Sequence, residues 1–197
     1  MRPGSKKFWL LASLGALLCV AAGFSPAAPG AREKSRANEL TLAGLRPGQD
    51  KLEAPQKIFR SLERDEAATD ALVWGDICTH RDLRIEMDSE HLIRTVTVSS
   101  FYKPENAAKC AAIVMAPERL RELKSGHGLL LGDACSRVVE IYGKPDSESP
   151  SVKGSDKLEL YFYSFGWAGS DVPQVMEISC NRATYQVVEM ILAASSL

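Results

Sequence analysis

The sequence predicts an α+β fold made of two helix-plus-antiparallel-sheet units in tandem, each a short helix packed on a three- to four-stranded meander. Three observations carry that prediction. The stretch Gly128–Pro145 reads as a short helix bounded by glycines and closed by a proline. Three strand-like runs follow it, Lys157 to Phe165, Val175 to Cys180 and Tyr185 to Ala193. A similar order appears upstream, where Gly44-Leu45-x-x-Gly48 matches Gly128-Leu129-x-x-Gly132 at an offset of 84 residues. Equal spacing of like elements is the mark of an internal repeat.

Within Gly128–Pro145, Ala134, Val138, Ile141 and Tyr142 recur at three- and four-residue steps, which makes one helix side apolar. Asp133 is the expected cap, and an acidic cap also suits the positive helix end. Gly143 closes the helix and Pro145 forbids its continuation. A helix this brief is unstable alone and needs a sheet beneath it.

Met1 to Ser25 has the form of a secretory signal peptide: Arg2, Lys6 and Lys7, then an uncharged run from Phe8 to Phe24, then small residues. The alternative is an uncleaved anchor that tethers the chain to a membrane, since the run is near spanning length. Leu18 precedes Cys19 where a lipidation box wants a small residue. Three of the 24 Lys+Arg and none of the 25 Asp+Glu lie in this segment, so the remainder carries about four net negative charges. That charge argues against nucleic acid as a partner, and no later run is long enough for stable membrane insertion once the leader is removed.

Residues 26–41, rich in Ala, Pro, Arg and Lys without periodicity, read as a linker. The first unit spans 42–100. Leu52, Ile58, Phe59 and Leu62 have helical spacing, with Pro55 either splitting that helix or starting it. Strand-like runs follow at Ala71 to Cys78, Leu83 to Met87 and Leu92 to Ser99. Leu83, Ile85 and Met87 alternate with Arg84, Glu86 and Asp88, giving one core face and one wet face. A connecting segment covers 101–127, with a turn at Pro104–Asn106, an extended or helical Cys110–Met115, and a short helix from Pro117 to Lys124.

The second unit spans 128–197. Met176, Ile178 and Cys180 alternate with Val175, Glu177 and Ser179, and Leu158, Leu160 and Phe162 form an aliphatic-rich side of their strand. The other side holds Tyr161, Tyr163 and Phe165, with Trp167 just beyond in a 166–173 loop. If the helix covers the aliphatic side, this aromatic row faces away from it. Tyr161, Tyr163, Phe165 and Trp167 then form a partner-binding surface, because such rings give large contact area with a polar handle. The competing reading is that another part of the chain covers them.

The run G-x-x-x-G-D-x-x-x-x-V-x-x-x-Y-G-x-P (Gly128 to Pro145), with the strands after it, resembles the SmpA/OmlA-type lipoproteins of the outer-membrane barrel-assembly machinery. That fold also appears, duplicated, in β-lactamase inhibitory protein. The resemblance spans Gly128 to Ala193 and, more faintly, Leu42 to Ser99. It implies a helix-on-sheet binder of the bacterial cell envelope, acting without catalysis, in the periplasm or outside the cell. This chain departs from the lipoproteins in lacking their lipidation box.

Four cysteines follow the leader, Cys78, Cys110, Cys135 and Cys180. An even number in an exported chain favours two disulfides, with three connectivities open. One bridge per unit, Cys78–Cys110 and Cys135–Cys180, suits a Cys180 on the inward face and a Cys135 on the helix above it. A metal site from Cys78, His80 and either His91 or Cys135 lacks any spaced ligand pair. None of His80, His91 and His127 belongs to a catalytic signature, and neither a metal nor a cofactor is expected. The enzymatic alternative is a small envelope hydrolase or thiol enzyme using Cys135 and His127, which a disulfide at Cys135 would abolish.

Overall fold

The computed structural model describes residues 38–59, 63–64, 70–76, 80–101, 123–165 and 174–194. The predicted leader, Cys78, Cys110, Trp167, the 166–173 loop and most of the 101–127 segment lie outside them.

Among the described residues, two short helices, α1 (Glu53–Ile58) and α2 (Cys135–Tyr142), accompany eight strands. These are β1 (Glu63–Arg64), β2 (Ala71–Asp76), β3 (Arg81–Met87), β4 (Ile93–Ser99), β5 (Ser147–Lys153), β6 (Asp156–Phe165), β7 (Gln174–Asn181) and β8 (Gln186–Ala194). They form one antiparallel sheet in the order β1-β2-β3-β4-β8-β7-β6-β5. The prediction of two tandem helix-plus-sheet units is therefore corrected. β4 pairs with β8 from Thr95↔Ala193 to Ser99↔Glu189, so the two meanders share one sheet. The physical reason is that alternation specifies which side of a strand is apolar and leaves its neighbour undetermined. Pairing β4 with β8 removes two exposed edges and joins Val96, Val98, Met190 and Leu192 into a single core cluster.

The core lies on one face of this sheet. Leu83, Ile85, Ile93, Val96, Val98, Met176, Ile178, Met190 and Leu192 are fully buried there. α2 supplies Cys135, Val138 and Tyr142 to the same cluster, and the loops before the helices supply Leu42, Leu45, Leu129 and Leu131. Pro55 sits in the first turn of α1, where its missing N–H breaks no helical bond.

Asp133 does not cap α2. Ala134 occupies the cap in an extended conformation without a side-chain bond. The Asp133 carboxylate instead accepts from the Leu130 N–H at 2.9 Å and pairs with Arg137 at 3.3 Å, closing its own loop. Asp50 does likewise with the Arg46 N–H at 2.8 Å. Both loops hang from the start of a central strand. Gly48 N–H donates to Ile93 O and Ile93 N–H to Asp50 O; Gly132 N–H donates to Val187 O and Val187 N–H to Asp133 O.

Candidate functional site

Of the aromatic residues predicted as a contact surface, Tyr161, Tyr163 and Phe165 sit on the covered side of the sheet. Tyr163 and Phe165 are buried, and Tyr161 is partly buried against the same cluster. The Tyr142 ring, from the last turn of α2, lies 5.5 Å from Tyr163 and 6.0 Å from Phe165. Tyr163 also donates from its hydroxyl to Gly143 O at 3.1 Å. The helix thus covers the ring side of β6, opposite to the expectation. Both faces of β6 are apolar, so alternation could not choose between them.

The carboxylate of Glu39 anchors the end of the stretch read as linker. Its Oε1 accepts from the N–H groups of Leu40, Thr41 and Gly126 at 2.9, 3.1 and 3.0 Å. Its Oε2 accepts from the His127 N–H at 3.2 Å and from the Tyr142 hydroxyl at 2.6 Å. Tyr142 also bonds the buried Ser125 hydroxyl at 2.7 Å. Burial, then the adjacent Glu39 charge, pushes the Tyr142 phenol well above its usual range. This network of buried Glu39, Ser125 and Tyr142 ties the loops to the end of α2.

Cys135 is bonded to Cys180, with Cα atoms 6.0 Å apart, so one predicted pairing stands and Cys135 offers no thiol to partner His127. The His127 ring is engaged with Asn38 O at 3.0 Å. Exposed His80 and His91 occupy positive-φ positions, and no metal-holding cluster of His, Cys, Asp or Glu exists among the described residues.

The flipped orientation of β6 places Leu160 and Phe162 on the side that neither described helix covers. The registers define three cross-strand rows on this open face. One runs Leu160–Ser179–Glu189–Ser99–Asp82, the next Phe162–Glu177–Ile191–Thr97–Arg84, and the third Ser164–Val175–Ala193–Thr95–Glu86. Leu160, Phe162, Val175, Ile191 and Ala193 are half-buried, making an apolar strip across β6, β7 and β8. Four acids lie in these rows against one base, Arg84, which pairs with Glu86 at 2.9 Å.

The first row is more closed than the others. Ser99, Ser179 and Glu189 are buried, and so is Leu158 beside them. The Ser99 hydroxyl donates to Asp82, and the Lys153 ammonium bonds Glu189 while standing 4.5 Å above the Phe101 ring. Burial raises the Asp82 carboxyl above its usual value; the Ser99 bond and Lys153 oppose this, and Glu189 adds to it. Lys153 belongs to the edge strand β5, three strands from β8. In a flat sheet those three steps alone would separate the backbones by about 14 Å. Contact between their side chains brings the tip of the β5–β6 hairpin over this face, as the twist of a sheet allows.

The residues missed in the sequence were Glu39, Asp82, Lys153 and Glu189. The only available signal was Glu189, an acid within the apolar run Val187–Leu192. Comparison of the chain with protein families, curated proteins and solved structures returns no match.

Proposed function

We propose that this protein is an exported, non-catalytic protein-binding module of the bacterial cell envelope that receives its partner on the face of the sheet that neither described helix covers. The half-buried apolar strip Leu160–Phe162–Val175–Ile191–Ala193, set among acids, carries the reading. An antiparallel sheet needs only one covered side, and the other ordinarily carries polar residues. Here aliphatic and aromatic groups occupy positions that solvent would otherwise share. The excess of acids names the partner's chemistry: a protein surface offering apolar side chains together with lysine or arginine. The Cys135–Cys180 disulfide is compatible with export, and no described helix is long and apolar enough to cross a membrane. The resemblance of Gly128–Pro145 to envelope assembly lipoproteins points the same way.

The test is a photo-crosslinking residue at Thr97, on β4 directly beside Ile191 of the strip, with Thr184 in the exposed β7–β8 turn as control. The expected result is one adduct from Thr97, identified by mass, lost in Ile191→Asp and absent from the control position. Purified partner and protein should then bind in solution with a salt-weakened affinity. Equal adducts from both positions, no adduct, or an adduct only with a second copy of this chain would overturn the proposal.

A further inference from the structure

We infer that Lys153 is a releasable strap across the open face, closing its first row until a partner's own cation takes its place on Glu189. The inference rests on the binding role assigned to that face. Leu158, Ser179, Ser99 and Glu189 are 2%, 4%, 3% and 8% exposed, although they belong to the side away from the core cluster. Leu158 lies directly opposite Ser151, which makes Lys153 its diagonal neighbour on the same face. From there the lysine side chain runs inward to Glu189, whose cross-strand neighbour is Ser179. The strap thus passes over the closed row.

Its two ends are unequal. The Lys153 side chain is 49% exposed and sits at the tip of the β5–β6 hairpin, beside Gly154 at φ 62°. β5 is the outermost strand of the sheet and pairs only with β6 among the described strands. An ion pair with one half-exposed member is weak, and the tip can swing with little loss. The Glu189 side chain is 10% exposed and cannot be left alone in that position. A buried carboxylate stripped of its cation is strongly disfavoured. Release is therefore coupled to replacement: an approaching apolar surface without a lysine or arginine leaves Glu189 uncompensated, whereas one that brings the charge does not. The strap acts as a filter on what may settle there.

Residue-resolved hydroxyl-radical footprinting tests this on the whole protein without any partner. In Lys153→Ala the oxidation rates of Leu158 and Leu160 should rise at least threefold, while core Met176 and Leu83 stay unchanged. Lys153→Met, which keeps the stem and loses the charge, should give a rise in the same direction, and Glu189→Gln should reproduce it. Unchanged Leu158 in all three variants overturns the strap. So does a rise shared by Met176 and Leu83 in both Lys153 variants, which would mark a general loosening. Failure of the Thr97 crosslink would remove the binding role and leave this footprint result intact, so the two ideas fail separately.

Discussion

The Tyr142 hydroxyl donates to the Glu39 carboxylate at 2.6 Å across a sequence separation of 103 residues. The bond ties the chain ahead of the first loop to the last turn of α2. With four backbone donors also aimed at it, the Glu39 carboxylate accepts five hydrogen bonds.

Glu39→Ala should therefore destabilise the protein by roughly 3 kcal/mol, because five donors lose one acceptor in a closed site. Tyr142→Phe keeps the ring contacts with Tyr163 and Phe165 and should cost about 1–2 kcal/mol. Urea unfolding followed by circular dichroism checks both. The double variant should lose less than the sum, since the two groups share one bond.

The same pair sets an alkaline limit. The Tyr142 phenol is raised above the 10.0 of a free tyrosine, burial being the first cause. A raised folded value favours the neutral form in the folded state. Its contribution is fully present below about pH 10 and is lost as pH rises further. Stability measured from pH 9 to 12 should fall more steeply in the native protein than in Tyr142→Phe.

Gly126 is required by contact rather than by backbone angle. A Cβ there would lie 2.5 Å from Glu39 Oε1 and 2.6 Å from Thr41 Oγ1. Gly126→Ala should cost about 2 kcal/mol or more, and a Glu39→Ala background should relieve part of that penalty while the Thr41 hydroxyl still stands in the way. Equal penalties in both backgrounds would locate the strain elsewhere.

Reduction of Cys135–Cys180, or Cys135→Ser with Cys180→Ser, should lower stability by about 4 kcal/mol, the chain-entropy value for a bridge spanning 45 residues. Denaturant midpoints with and without reductant measure it.

Asp82 offers the opposite sign. Burial raises its carboxyl above 3.8, so ionisation at neutral pH works against the fold. Asp82→Asn should stabilise at pH 7, by less than about 1 kcal/mol because Ser99 and Lys153 compensate. The gain should shrink as pH falls through the carboxylate range, and a destabilised Asn variant at pH 7 would refute the assignment.

Most strands were legible. Leu83–Met87 alternates cleanly, and its structure differs from the expectation only at the first residues. β5 was not, because Ser147–Lys153 is polar, exposed and interrupted by Pro150, a composition that reads as loop. Edge strands avoid the apolar pattern by which strands are recognised. The orientation of β6 was hidden by apolar residues on both sides. Asp133 looked like a helix cap, yet a carboxylate there can equally close the loop behind it, and only tertiary geometry decides. Glu39 fell in an aperiodic stretch where nothing marks burial. The candidate site was unreadable for a related reason: its charged members come from β3, β5 and β8, and no local spacing connects them.

The β4–β8 seam means that neither half of this chain is spare. A product carrying only one half would present a central strand with its amide and carbonyl groups unmatched, next to Val96 and Val98 or to Met190 and Leu192. Such a fragment would be adhesive, seeking another copy to zip against. Proteolysis or truncation between the halves should thus yield aggregates in place of two small folded pieces.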